Sequence, residues 1–419
     1  MVHATRHAVY FIQYDQRTLT KVFDCLVATN VKPAVQMRIF DMLENLLTFV
    51  SEDATFSDRV VKPYMSRLLE IFSTAVDRST VGGSVSAIGG IAQREITILS
   101  KLSPYIVDGS QAATLLSIFL PQLRRTGKGI PEKSKVDMLN TICHLVPQIS
   151  GFTENRVPLF SKTYETLAYL FQSLRGRQAR LTLVGAFTVL VGIDPSLTAT
   201  AGLFASFNSY STTRMDEPDF DRRLTAFAIL NAKQWKSLSA REWSPFLQNM
   251  LYFIQDEDEL TIRTNASLTL KRFLEALSTG RKVDLQLCFV RILFPGLKRG
   301  LCSKSDLVRG EVMGVLSFAV EKCSNVNALQ EMRVLLASGD EEASFFNNIF
   351  HIQIHRRTRA LRRLAEFCDQ PVFRSSTLQE IFVPVVNRFI HGPGTTDHHL
   401  DNDAITTLGR IAMHLAWPA

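Results

Sequence analysis

Paired cysteines are missing from this 419-residue sequence. Its six cysteines (Cys25, Cys143, Cys288, Cys302, Cys323, Cys368) lie far apart, with no CxxC and no Cys/His group at zinc spacing. That leaves no basis for a disulfide framework or a structural zinc site. The thiols are expected to be reduced and buried in apolar helical patterns, as in an intracellular compartment. Long apolar runs are missing too. The most apolar one, Leu181 to Ile193, is too short to span a bilayer and is interrupted by Thr and Gly, so it is expected to be a buried helix. His3, Arg6 and His7 precede no apolar run, and no secretory leader is expected.

Signatures of catalysis are equally scarce. Thr126-Gly127-Lys128-Gly129 hints at a phosphate loop, but Gln122 stands where the first glycine is needed and Gly129 where Ser or Thr is needed. Gly82-Gly83 and Gly89-Gly90 lack GxGxxG spacing and follow no strand, so they are expected to be a turn and a close helix approach. His391, Asp397, His398, His399, Asp401 and Asp403 are dense in metal-ligand types. They fall in a Gly-Pro loop with no i, i+4 histidine pair, which fits a solvated connection better than a metal site. His144 and His414 sit singly within helices and are expected to be structural. The sequence therefore offers no catalytic residue, cofactor site, metal site or small-molecule site, and a non-enzymatic protein is expected.

What the chain has is helical periodicity almost throughout, with no convincing strand series. Helical segments come in pairs. Val22 to Leu26 precedes Val35 to Val50, Val60 to Val76 precedes Ile88 to Leu102, and Ala112 to Leu123 precedes Val136 to Val146. Tyr164 to Leu174 precedes Arg177 to Ile193, Phe246 to Ile254 precedes Leu260 to Leu277, and Leu285 to Leu297 precedes Leu307 to Val320. Ala328 to Leu336 leads to a basic helix, and Leu378 to Ile390 precedes Asp403 to Trp417.

The pairs share an outline. The first helix carries a proline (Pro63, Pro121, Pro245, Pro295, Pro384) and a polar turn follows. The second opens with an arginine among small residues, as in Ile262-Arg263-Thr264-Asn265-Ala266 and Val308-Arg309-Gly310-Glu311. One such pair cannot cover its own apolar face, so pairs must stack. The expected fold is an all-α solenoid of HEAT-like helix pairs. Its expected divisions are repeats over 1–193, a long connection or inserted loop over 194–220, and repeats over 221–419. The last helix has no polar cap after it, so the array is expected to be truncated at its C-terminus.

Net charge is +7, compatible with nucleic acid. The densest basic stretch is Phe345 to Phe367, with five arginines, His351, His355 and one acid, Glu366. At about 100° per residue, Ile354, Leu361, Leu364 and Ala365 share one arc. His355, Arg356, Arg359, Arg362 and Arg363 share the opposite one. Arg357 falls beside the apolar stripe, where pairing with an acid or a helix C-terminus is the expected role. The cationic arc reads as a solvated surface or as a face that tracks an RNA backbone, since guanidinium groups pair bidentately with phosphates. Three further basic patches are expected at turns: Arg124, Arg125, Lys128, Lys133 and Lys135; Arg175, Arg177 and Arg180; and Lys298, Arg299 and Lys304.

Phe345 to Phe367, FFNNIFHIQIHRRTRALRRLAEF, resembles the signature region of the large nucleolar down-regulated-in-metastasis family, the HEAT-repeat component of the small-subunit processome. Arg214 to Leu224, RMDEPDFDRRL, and Asn402 to Leu415, NDAITTLGRIAMHL, resemble two more of its stretches in the same order. The resemblance implies a nucleolar scaffold that supports processing of the precursor of small-subunit rRNA. Its implied partners are pre-rRNA, the small nucleolar ribonucleoprotein and other processome proteins, with no membrane and no enzymatic activity. It carries over no catalytic residues. The competing expectation is a protein-only HEAT adaptor such as a nuclear transport receptor, because fold does not fix function.

Overall fold

The computed structural model describes residues 21, 33–52, 57–58, 61–81, 85–125, 130–149, 152, 157–232, 234–279, 283–337, 340, 343–391 and 398–415. The expected helix Val22 to Leu26, the turns at Gly82-Gly83 and Thr126 to Gly129, and Cys25, Asp397 and Trp417 lie outside them. Among the described residues no strand forms, and an isolated antiparallel bridge joins Tyr210 to Pro218. No helix among them is long and apolar enough to cross a membrane. The chain divides into two compact units, Met1–Pro218 and Asp219–Ala419.

The first unit holds α1 (Pro33–Glu52), α2 (Met65–Val81), α3 (Val85–Leu102), α4 (Gly109–Arg124), α5 (Glu132–Leu145), α6 (Val157–Ser173), α7 (Arg177–Val189) and α8 (Thr198–Phe207). They form two layers. One stacks α2, α4 and α6; the other stacks α1, α3, α5 and α7. Between the layers lie fully buried Phe72, Phe119, Leu139, Phe171 and Phe187. These are the HEAT-type pairs the sequence outline requires. Asp108 caps α4 by accepting from the backbone N–H of Ser110 at 2.7 Å and Gln111 at 2.9 Å. Leu181 to Ile193, expected to be a buried helix, is instead buried on one face only, through Thr182, Leu183, Ala186, Phe187 and Leu190, while Leu181, Gly185, Thr188 and Gly192 are exposed.

One difference from the sequence reading falls at 194–220. A ten-residue helix, α8, occupies part of that stretch and packs on α7. Its sequence, TATAGLFASF, is small and apolar on every side, so no polar face sets up the alternation that marks a surface helix. Phe204 nonetheless stacks on Phe171, with ring centroids 4.4 Å apart.

The second unit holds α9 (Phe220–Ala232), α10 (Ala240–Phe253) and α11 (Leu260–Ser278). A helical run over 283–301 is α12, followed by α13 (Asp306–Lys322), α14 (Ile354–Cys368), a run over 375–391 that is α15, and α16 (His398–Ala412). A capping box closes the start of α10: the Ser239 Oγ accepts from the Glu242 N–H, and the Glu242 carboxylate accepts from the Ser239 N–H at 2.8 Å. Both α12 and α15 contain a π-helical turn, Phe289–Leu293 and Leu378–Phe382. Each turn stands two residues before a proline, Pro295 or Pro384. Proline has no N–H to give and its ring crowds the carbonyl four residues back, and a wider turn accommodates both.

The helix expected over Ala328 to Leu336 is instead a four-residue helix, Asn327–Gln330, and a 3-10 segment, Glu331–Leu335. A further short helix, Phe345–Asn348, leads to α14. With this first helix of the pair reduced to short pieces, α15 packs against α12.

The basic residue near the start of five second helices has a structural cause, while Arg38 in α1 is exposed. Lys135 Nζ donates to the Arg125 carbonyl at 2.8 Å. Arg180 donates to the carbonyls of Phe171 at 3.0 Å and Leu174 at 2.8 Å. Arg263 donates to Asp256 O at 2.7 Å, and Arg309 donates to Ser303 O at 2.6 Å and Lys304 O at 3.0 Å. Arg357 Nε donates to His351 O. Helix ends leave carbonyls without partners, and in the stack these cations satisfy them. An acid does the reverse at the next turn. Glu132 accepts from the backbone N–H of Gly176 at 2.7 Å, and Glu331 accepts from the N–H of Arg374 at 2.6 Å.

Candidate nucleic-acid interface

The basic helix α14 forms much as its periodicity requires. Ala360, Leu361, Leu364, Ala365 and Cys368 are buried. Ile354 departs from the expected apolar arc and is 44% exposed, because it is the first residue of the helix and lies beyond the packed stripe.

The four arginines expected on one solvent-facing arc divide into different environments. Arg359 is exposed and has no hydrogen-bond or ion-pair partner among the described residues. Arg362 is exposed but turned toward α16, where its Nε donates to Asp403 Oδ1 at 3.3 Å. Arg356 is half-buried and makes contacts of its own. Arg363 is half-buried, its NH2 group 3.4 Å from the carbonyls of Val334 and Leu336 and its guanidinium 5.6 Å from the Phe367 ring centre. The wheel places Arg363 opposite the core, yet the end of the 3-10 segment meets that side of the helix through the carbonyls of Val334 and Leu336. Arg357 caps a backbone carbonyl.

The other basic patches lose members to the stack. Lys135 and Arg180, expected at basic turns, are buried capping groups, and Arg180 is 0% exposed. Its Nε donates to Asn208 Oδ1 at 2.9 Å. Arg177 lies 3.6 Å from Asp216 and 5.5 Å from the Tyr210 ring centre. Lys298 pairs with Glu380. Arg175, Arg299, Lys304 and Lys133 remain at the surface. Lys128 lies outside the described residues.

No group of three or more His, Cys, Asp or Glu among the described residues could hold a metal ion. Burial pushes the Cys288 thiol up to about 11, Cys323 to about 12 and Cys368 to about 11, so they stay protonated and unreactive near neutral pH. Cys302 departs from the expectation of buried thiols and is exposed, in the turn after α12. An open groove of about 290 Å³ between α3 and α5 is lined by Thr97, Ser100, Lys101, Asp137 and Asn140.

Sequence reasoning missed Arg388. It lies in α15, yet it donates to Ser303 O, 85 residues away in sequence, at 3.4 Å. No short-range pattern signals a contact of that separation.

Comparison with known proteins gives the fold and the basic helix a context. Residues 1–305 match the family model for the N-terminal region of U3 small nucleolar RNA-associated protein 20. The U3 small nucleolar RNA-associated protein 20 of Schizosaccharomyces pombe is 31% identical over 418 residues, covering 97% of this chain and 16% of that protein. Its Saccharomyces cerevisiae counterpart is 27% identical over 412 residues, with the same coverage of each, 97% and 16%. The chain thus spans about a sixth of the length of these curated relatives. Among solved structures, the karyopherin Kap121p bound to Pho4p aligns with 96% of this chain and 42% of its own, at a TM-score of 0.31 and 12% identity. A tubulin-recruiting TOG-domain array aligns with 94% and 85%, at a TM-score of 0.27 and 11% identity. The family model takes in Arg214 to Leu224, and the alignments with the yeast proteins span nearly the whole chain. The chain belongs to the U3 small nucleolar RNA-associated protein 20 family, the one its three sequence stretches resemble.

Proposed function

We propose that this chain is a non-enzymatic scaffold segment of the small-subunit processome in the nucleolus, supporting the processing of pre-rRNA to small-subunit rRNA. Its partners are pre-rRNA, the U3 small nucleolar ribonucleoprotein and neighbouring processome proteins. The observation that carries the reading is family membership over nearly the entire chain. Stacked helix pairs suit such a role, because each pair adds surface without needing a catalytic centre. The mechanism is positional: the array holds RNA and proteins in place while other factors act on the RNA.

Within it, Arg356, Arg359, Arg362 and Arg363 of α14 form the RNA-contacting edge. Arg359 and Arg362, the exposed pair, meet phosphates, and the half-buried Arg356 and Arg363 add to the local field. The test is Arg359→Glu with Arg362→Glu, measured as RNA affinity against salt concentration. The expected result is weaker binding and a shallower salt slope, since each lost phosphate contact removes its share of counterion release. An unchanged slope contradicts this placement.

A second reading, a protein-only adaptor, draws on the engagement of Arg362 by Asp403 and of Arg363 by backbone carbonyls. It predicts protein partners that persist after ribonuclease treatment and no RNA crosslinks.

A further inference from the structure

The turn after α12 and a basic residue of α15, distant in sequence, meet where α15 packs on α12. Ser303 O is their shared acceptor. It takes a hydrogen bond from Arg309 NH1 at 2.6 Å and another from Arg388 NH2 at 3.4 Å. Two guanidinium groups therefore converge on one carbonyl, and Asp306 offsets the charge of Arg309 while leaving that of Arg388. Burial, and after it the charge of Arg388, lowers the pKa of Arg309. Asp306 is engaged by Arg309 and Glu380 by Lys298. Arg388 and the exposed Lys304 have no carboxylate partner among the described residues.

The corner adjoins the start of α14. The Phe350 ring lies 5.7 Å from the Arg309 guanidinium and stacks on Phe389 at 6.3 Å. Phe350 stands four residues before α14, and Ile352 between them is 89% exposed. The fold thus brings the corner beside the segment that leads into α14.

We propose that Lys304 and Arg388, backed by Arg309, form a phosphate-binding corner that grips an RNA backbone next to the N-terminal end of α14. The three side chains have distinct roles. Arg309 is held by carbonyls and Asp306, so it contributes charge from behind. Arg388 spends one of its five donors on Ser303 and can present others to phosphate oxygens. Lys304 is a mobile point charge at the rim. Such a site reads no base and recognises any phosphodiester backbone that follows this edge. The choice of RNA over an acidic protein rests on the function proposed above.

The experiment uses the full chain and a fluorescein-labelled single-stranded RNA of mixed sequence, with affinity measured across a salt series. Lys304→Gln alone removes an exposed side chain with no partner among the described residues, and is expected to leave the fold intact. It is expected to lower the slope of log K against log salt by about 0.7, the share of one phosphate on a single strand. Adding Arg388→Gln is expected to lower it by about as much again. Three results overturn the proposal. If neither variant changes the slope while Arg359→Gln lowers it, the corner is not a phosphate site and the proposed function stands. If the unaltered chain binds no RNA, both fail. If the variants lose an acidic protein partner while the RNA slope is unchanged, the corner binds protein.

Discussion

Arg180 shows how much a single cation can matter in this chain. It is fully buried, and its hydrogen bonds reach Asn208 Oδ1, Phe171 O and Leu174 O. Arg180→Met keeps the apolar stem but strands those acceptors. At about 1–3 kcal/mol for each buried group left unpaired, the expected loss is at least about 3 kcal/mol, read as a fall in denaturant midpoint. A change below about 0.5 kcal/mol, the range of ordinary surface substitutions, would contradict the capping role. Glu95 is the acidic counterpart. It is 1% exposed, its Oε2 has no partner among the described residues, and burial, opposed by Arg125, raises it from 4.5 to about 7. A raised carboxyl binds its proton more tightly when folded. Its contribution to stability is therefore complete below pH 4.5 and lost as pH rises through about 7. Glu95→Gln is expected to flatten the pH dependence of thermal stability in that window, an effect of at most about 3 kcal/mol. An identical slope in both proteins would place the carboxyl in water. Neither residue's role was visible in sequence. A lone arginine at a turn looks the same whether it faces solvent or a carbonyl, and burial is decided by the neighbouring pair.

At the scale of elements, close helix approach leaves two glycines in α12 no free room for a side chain. A Cβ on Gly296 would sit 2.7 Å from Leu251 Cδ2 in α10, and one on Gly300 would sit 2.8 Å from Val312 Cγ2 in α13. Gly314 in α13 has open space. Gly296→Ala is expected to destabilise by about 1–3 kcal/mol through overpacking. Gly314→Ala is expected to stabilise by about 0.5–1 kcal/mol through helix propensity. Equal effects on thermal midpoint at the two sites would refute the packing argument. The paired helices themselves were legible, because an amphipathic stripe repeats wherever a polar face meets water. The helix α8 was not, since TATAGLFASF presents no such contrast. The prolines at 295 and 384 were legible as a recurring mark, but not as causes of π turns, which depend on the backbone carbonyls around them.

Across the molecule, the basic residues behind the net charge of +7 take up different settings. Cations at the starts of second helices (Lys135, Arg180, Arg263, Arg309, Arg357) turn inward to close carbonyls and keep the pairs in register. The side chains of Arg359 and Lys304 are exposed with no partner among the described residues, whereas Arg362 is engaged by Asp403 and Arg388 by Ser303 O. The sequence showed a dense arginine helix and its family, and so the region proposed as the interface. It did not show that Arg363 is held by carbonyls or that Arg388 joins Ser303, because both contacts span segments whose path only the packed fold decides. The central claim is that this chain holds pre-ribosomal RNA within the processome. The most direct test is ultraviolet crosslinking of the tagged protein in cells, followed by sequencing of the attached RNA and mapping of the crosslinked peptides. The account predicts enrichment of pre-rRNA leader or U3 small nucleolar RNA, with peptides from 299–306, 350–363 and 383–391. Recovery of protein partners without RNA would contradict it.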